Sequence, residues 1–201
     1  INKILIPDNV TDIGSNAFLE CSGLLSVTIG KNVKTIGYNA FNKTIKLVEV
    51  INKSDINIEK GSQSAGGVAY YALNVKKDGE SDIVNQNGYL FFNVNETNYL
   101  LSYIGDETQL TLPDDYNKQK YEIYNYAFYN NQKIQSVTIN SGMISIGDNA
   151  FLECKNLTSV TIDNESINIS YSAFKMCTQL EDVHIYGNLS DIEDFAFYNC
   201  V

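Results

Sequence analysis

A six-residue pattern, Ile-x-x-x-Ala-Phe, recurs along this chain at a fixed interval. Successive phenylalanines of the pattern are 23 residues apart, except for one interval of 87 residues. The pattern ends at Phe18, Phe41, Phe128, Phe151, Phe174 and Phe197. A unit this short cannot bury its apolar face alone, so a period in the twenties predicts a solenoid whose coils pack on their neighbours.

Each unit also carries the pattern Leu-x-x-Val-x-Ile, for example at Leu157, Val160 and Ile162. A valine and an isoleucine two positions apart share one side of a strand, which predicts a short β-strand. Gly, Asn and Asp follow in most units and predict a turn. The Ala-Phe pair is expected to close the coil as a short helical turn. Stacking of the coils would then place equivalent phenylalanines in a continuous ladder.

The charge balance argues against nucleic acid as a partner. The chain has 14 lysines, no arginine and 24 acidic residues, which gives a net charge of −10. It therefore lacks guanidinium groups for bidentate phosphate binding, and its field repels polyanions. No apolar stretch approaches the roughly 20 residues of a transmembrane helix, so no membrane insertion is expected in this segment.

The chain starts within one repeat, at an Ile-x-x-Ile-x-Ile pattern, and stops within another at Cys200 and Val201. Capping repeats, which shield the open ends of a repeat stack, are not recognisable. We therefore expect a segment of a longer protein. Any signal peptide, anchor or catalytic domain would lie outside it.

All four cysteines lie three residues after a repeat phenylalanine, at Cys21, Cys154, Cys177 and Cys200. In a stack their sulfurs would point the same way, which suits small buried side chains better than a disulfide, whose Cβ atoms converge to about 3.8 Å. A Cys-x-x-Cys element is missing, which argues against zinc. We expect free buried thiols, no metal and no cofactor.

The long interval between Phe41 and Phe128 holds an irregular segment. Its first part is interpreted as a degenerate repeat in which a Tyr-Ala region replaces the Ala-Phe closure. A charged linker, residues 76–82, comes next. Two β-prone runs that start at Tyr89 and Tyr99 then predict a hairpin that bulges from the solenoid. The predicted organisation is one solenoid over residues 1–201, with regular repeats at 1–46 and 107–201, the degenerate repeat at 47–78 and the inserted hairpin at about 79–106.

The units Ile1–Cys21 and Met143–Cys177 resemble Leu-x-x-Val-x-Ile-Pro-x-x-Val-x-x-Ile-Gly-x-x-Ala-Phe-x-x-Cys, the repeat of the BspA-like leucine-rich repeat family. The resemblance covers nearly the whole chain; Tyr124, Ser170 and Glu193 depart from it where the family favours Gly. It implies a β-rich solenoid, an α/β leucine-rich-repeat-like right-handed superhelix. A parallel sheet would form one face, and short helical turns and extended segments the other.

The same resemblance implies a protein that is extracellular or at the cell surface, as in bacteria and in some microbial eukaryotes. For several relatives it also implies adhesion to host proteins or to other cells. The leading hypothesis is therefore a non-enzymatic module that binds a host or neighbouring-cell protein or glycan through its sheet face. The alternative is a passive structural stalk that presents another domain.

The outward side chains of the predicted strands form the main candidate binding face. They are Lys3, Leu5, Ser26, Thr28, Ser136, Thr138, Ser159, Thr161, Asp182 and His184. The competing interpretation is that these are solvated residues that only favour strand formation. Exposed tyrosines of the hairpin, at Tyr89, Tyr99 and Tyr103, form a second candidate, because tyrosine offers contact area with a polar group.

No catalytic residues are predicted. The only histidine, His184, takes the strand position that threonine holds in other units, and only Asp182 accompanies it. A hydrolytic triad needs a nucleophile beside such a pair, and none is recognisable. The pair Asp114-Asp115 indicates a turn, because the spaced oxygen ligands of a calcium loop are missing.

Overall fold

Each regular sequence repeat folds into one coil that carries two short strands, and equivalent strands of successive coils pair in parallel. The computed structural model describes residues 1–200. The chain divides into two compact units, Ile1–Asp82 and a second unit that begins at Ile83. The boundaries of the single solenoid domain given above stay a prediction.

The first unit contains six strands and one 3-10 turn. The strands are β1 (Lys3–Leu5), β2 (Asp12–Ile13), β3 (Ser26–Ile29), β4 (Thr35–Ile36), β5 (Glu49–Asn52) and β6 (Asn74–Lys76), and the 3-10 turn is Ala65–Gly67. One parallel sheet has the order β1-β3-β5-β6, and β2 pairs with β4 in a second. Val27, Phe41 and Val50 belong to the core of this unit.

The second unit contains eleven strands in two sheets. They are β7 (Val84–Gln86), β8 (Tyr89–Val94), β9 (Thr97–Tyr103), β10 (Gln109–Thr111), β11 (Tyr121–Ile123), β12 (Ser136–Ile139), β13 (Met143–Ile146), β14 (Ser159–Ile162), β15 (Ile167–Ile169), β16 (Asp182–Ile185) and β17 (Leu189–Ile192). The order is β10-β12-β14-β16 in one sheet and β17-β15-β13-β11-β9-β8-β7 in the other.

The predicted hairpin is confirmed. Strands β8 and β9 pair antiparallel, and their turn residues Asn95 and Glu96 both have positive φ, 50° and 66°. Two successive positive φ values give the turn a twist that matches the flanking strands. Strand β9 also pairs in parallel with β11. The hairpin thus extends the larger sheet of the second unit, so the expectation that it bulges from the solenoid is wrong.

The predicted ladder of phenylalanines is also confirmed. In the second unit, Phe128, Phe151, Phe174 and Phe197 stack with ring centroids 4.6, 4.9 and 5.1 Å apart and interplanar angles of 6°, 7° and 3°. These spacings match the distance between neighbouring strands. The first three rings are buried. The aromatic stack therefore follows directly from the backbone pairing.

The turn that carries Ala-Phe is not helical, contrary to the expectation. From Asn149 to Glu153, alternate N–H groups donate to carbonyls of the next coil over 2.7–3.0 Å, while the N–H groups between them donate to the carbonyl three residues back. A helix would use every N–H within the segment. Asn149 and Glu153 instead have φ of 56° and 60°, so the chain makes successive tight turns.

The cysteines are free, and Cys154 and Cys177 are buried. Their thiols donate to the carbonyls of Phe128 and Phe151, each over 3.1 Å. Hydrogen bonding with Cys200, together with burial, raises the pKa of Cys177. Cys21 and Cys200 are partly exposed, so the expectation of full burial is wrong for these two.

We expect Phe151→Ala to destabilise the protein by roughly 3–5 kcal/mol, because it leaves a cavity between two stacked rings. The free energy of unfolding in urea measures this loss. Tyr186→Ala is the matched control, since Tyr186 is 72% exposed. A loss for Phe151→Ala no larger than that of the control would contradict a stabilising role for the ladder.

Candidate binding surface

The predicted outward residues of the second unit lie in two rows across its four-stranded sheet. Strand pairing aligns each residue with its equivalent on the next strand. The rows are Gln109, Ser136, Ser159 and Asp182, and Thr111, Thr138, Thr161 and His184. We call them the outward rows. The structure therefore brings together the six predicted residues of this unit.

The outward rows carry polar side chains on a sheet whose opposite side is buried in β10, β12 and β14. Val160 and Ile162 alternate with Ser159 and Thr161 and are fully buried, whereas the two hydroxyl residues are partly exposed. Each hydroxyl can donate one hydrogen bond and accept others. The rows can thus offer hydrogen bonds at the regular spacing of the strands.

Asp182 and His184 lie on β16 and are both exposed. The His184 ring is stacked with Tyr186 at a centroid distance of 6.2 Å. Among residues 1–200, no group of three His, Cys, Asp or Glu side chains could hold a metal ion. Asp182 and His184 add a carboxylate and an imidazole ring to the exposed surface of β16.

Sequence reasoning missed Gln109 and Thr111, which extend the two rows by one strand. A signal for them was present, because Leu110-Thr111-Leu112-Pro113 matches Ile4-Leu5-Ile6-Pro7. Alignment of these segments places Thr111 at the position of Leu5, which had been assigned to the outward face.

The first unit differs, because part of its predicted face is buried. Its aligned residues are Lys3, Ser26, Glu49 and Asn74 in one row, and Leu5, Thr28, Ile51 and Lys76 in the other. Lys3 and Leu5 are exposed, but Ser26 is only 3% exposed and Glu49 is fully buried. The expectation of an open face is therefore wrong for Ser26.

A buried carboxylate organises this part of the first unit. Glu49 Oε2 accepts a hydrogen bond from the Ser26 hydroxyl at 2.7 Å, and Oε1 accepts one from the Asp82 backbone N–H at 2.9 Å. Lys76 Nζ lies 3.4 Å from Glu49 Oε1 and 2.6 Å from Asp82 Oδ2. Buried carboxylates require such partners, because an unpaired charge is costly to bury.

Residues 77–82, here called the strap, therefore fold back over the outward face of the first unit. An open groove of about 400 Å³ lies between sheet residues that include Lys3, Leu5 and Thr28 and strap residues that include Gly79 and Glu80. The Glu80 carbonyl accepts a further hydrogen bond from the Lys76 ammonium at 2.6 Å. The interpretation of this segment as a linker missed this contact.

Burial acts to lower the pKa of Lys76, but the hydrogen bond to Asp82 and the negative charges of Glu49 and Asp82 outweigh it. The net result is a raised pKa. The ammonium therefore stays charged at neutral pH, and the ion pair is lost only as the pH rises through this raised value.

We expect Lys76→Met to destabilise the protein by about 1–3 kcal/mol, because it leaves the buried Glu49 carboxylate without its cation. Urea denaturation measures the change. Lys34→Met removes the same charge from an exposed side chain and serves as the control. Equal stability of the two variants would show that the ion pair does not hold the strap.

The hairpin tyrosines are less exposed than predicted. Tyr89 is buried at 7% exposure, and its hydroxyl donates to the Thr111 carbonyl at 2.9 Å. The Tyr103 ring packs on it at a centroid distance of 4.7 Å. Tyr99 is partly buried and meets Tyr124 edge to face at 5.4 Å. The expectation that Tyr89 is an exposed contact residue is wrong, since it packs in the core.

Burial raises the pKa of Tyr89 to about 12, with smaller contributions from Tyr103 and Glu107, and burial near Tyr99 raises the pKa of Tyr124 to about 12. A phenol with a raised folded pKa stabilises the fold below its unfolded pKa, near 10. This stabilisation is lost as the pH rises from about 10 to about 12.

We therefore expect the free energy of unfolding to fall across this window, by roughly 1.4 kcal/mol per pH unit for each such tyrosine. Ultraviolet absorbance of the phenolate follows the titration, and urea denaturation follows the stability. Tyr89→Phe should reduce the dependence of the free energy of unfolding on pH by the contribution of one tyrosine. An unchanged pH dependence in this variant would show that burial does not raise the pKa of the Tyr89 hydroxyl.

Several solved structures of bacterial leucine-rich repeat proteins are similar to parts or all of this chain. A leucine-rich repeat protein from Bacteroides capillosus is 25% identical over 53% of this chain and 100% of its own, with a TM-score of 0.43. A leucine-rich cell surface protein from Faecalibacterium prausnitzii is 18% identical over 94% and 80%, with a TM-score of 0.34. A leucine-rich repeat protein from Bacteroides ovatus is 19% identical over 100% and 64%, with a TM-score of 0.41.

A search of curated proteins gives no match. Within residues 1–200, no helix has the length and apolar character to cross a bilayer. The profile of the family described as BspA type leucine-rich repeat region matches residues 1–66 and 97–201, in six copies. These ranges cover well over half of the chain, which therefore belongs to the BspA-type leucine-rich repeat family.

Proposed function

We propose that the chain is a non-enzymatic module of a bacterial surface or secreted protein, which binds an extended segment of a host or neighbouring-cell protein along the outward rows. The observation that carries this proposal is the strand register, which aligns partly exposed polar side chains from four coils. A partner with polar groups along its length could contact all four. Membership of the BspA-type family supports the surface location.

The chemistry of the described residues supports a binding role. The buried thiols of Cys154 and Cys177 donate to backbone carbonyls, which favours the neutral form over a reactive thiolate. His184 is exposed on a strand, with Asp182 two residues away. Polar residues with little apolar area favour specificity over tight binding.

Binding of the full chain to a panel of purified extracellular-matrix proteins tests the proposal. The variant Thr138→Lys, Thr161→Lys, His184→Glu changes three aligned positions and raises the net charge by one unit. We expect at least about a tenfold loss of affinity for any protein that the unmodified chain binds, because long charged side chains replace short ones at the contact.

Thr178→Lys is the matched control, because it adds the same net charge at an exposed residue outside the outward rows. Equal binding by the triple variant and the unmodified chain would refute the proposed surface. Failure of the unmodified chain to bind any protein of the panel would favour the passive stalk.

A further inference from the structure

A pocket of about 170 Å³ lies in the first unit and is lined by residues outside its strands. Two tyrosines and three amide side chains line it, together with glycine backbone: Tyr38, Tyr70, Asn39, Asn42, Gln63 and Gly66. None of its lining residues carries a formal charge. The pocket therefore combines aromatic surface with neutral hydrogen-bonding groups.

Glycine allows this pocket to form. Gly66 has a φ of 64°, and a Cβ atom there would lie 2.6 Å from the Gly37 carbonyl oxygen. Its carbonyl accepts a hydrogen bond from the Phe41 N–H at 2.8 Å. The degenerate repeat thus packs directly on the coil that carries Tyr38, and a larger residue at position 66 would separate the two.

The two aromatic rings are unusually accessible for their size. Tyr38 is 78% exposed and Tyr70 is 43% exposed. The Tyr70 ring is supported from one side by Tyr71, edge to face at a centroid distance of 4.8 Å. Large exposed rings next to polar groups are typical of recognition surfaces, because they supply contact area at a low entropic cost.

The amides of the pocket have free hydrogen-bonding capacity. Among residues 1–200, the side-chain amides of Asn39 and Gln63 form no hydrogen bond. Asn42 uses its Oδ1 to accept the Lys43 N–H at 2.9 Å, which leaves its NH2 group to donate. An amide can donate and accept at once, so it matches a hydroxyl, which does the same.

We propose that this pocket binds a neutral hexose unit of an oligosaccharide. One face of a hexose ring presents C–H groups that pack on an aromatic ring, and its edge presents hydroxyls that pair with amides. An anionic ligand would lack a cation among the lining residues, and a wholly apolar ligand would leave the amides unpaired. Neutral sugars satisfy both parts of the lining.

Saturation-transfer difference NMR with the full chain tests this site. The probes are the methyl glycosides of glucose, galactose, mannose, N-acetylglucosamine and glucuronic acid. We expect transfer to the ring protons of at least one neutral glycoside and none to the glucuronide. Tyr38→Ala and Gln63→Ala should each weaken binding by about tenfold, since each removes one type of contact. Tyr38→Phe keeps the ring and should bind.

Tyr186→Ala, which removes an exposed tyrosine of the second unit, is the control and should bind as the unmodified chain does. No transfer to any neutral glycoside would overturn the proposal, and so would equal transfer in Tyr38→Ala or a preference for the glucuronide. The triple variant of the outward rows should retain sugar binding. The two proposals can therefore fail separately.

Discussion

The constraint on which each unit depends is the alignment of each repeat position with its equivalent in the next coil, which in the regular coils is 23 residues further along. Backbone hydrogen bonds set this register, for example Ser159 on Ser136 and Val160 on Val137. Once the register is set, most repeat side chains pack on a side chain of the same type in the next coil. The phenylalanine stack, the row of thiols on carbonyls and the outward rows are all results of one alignment.

This alignment explains why much of the fold could be predicted. The spacing of the phenylalanines identifies the coil, and valine and isoleucine two positions apart identify the strand. The turn around Ala-Phe was mispredicted because its geometry depends on left-handed backbone at residues such as Asn149 and Glu153. A glycine in the sequence would have indicated this conformation, whereas a glutamate does not.

The candidate surfaces could be predicted only where the repeat is regular. Thr138 and Thr161 lie where their spacing placed them, because nothing in the second unit disturbs the register. The burial of Glu49 and the contacts of the strap were not predicted, because a segment that folds back over a sheet produces no repeat pattern in the sequence. The tyrosine pocket was missed for a related reason: Tyr38 and Gln63 meet through a degenerate repeat.

The register also restricts which changes of length this protein tolerates. A gene duplication or deletion of one complete 23-residue segment would add or remove a coil and leave every remaining ladder in phase. An insertion or deletion of another length would shift the aromatic rings out of line unless the added residues lay in a turn, as in the coil between the paired residues Gln109 and Ser136. Variation in this architecture should therefore arise by whole coils, by extra residues in turns, or by exchange of outward side chains.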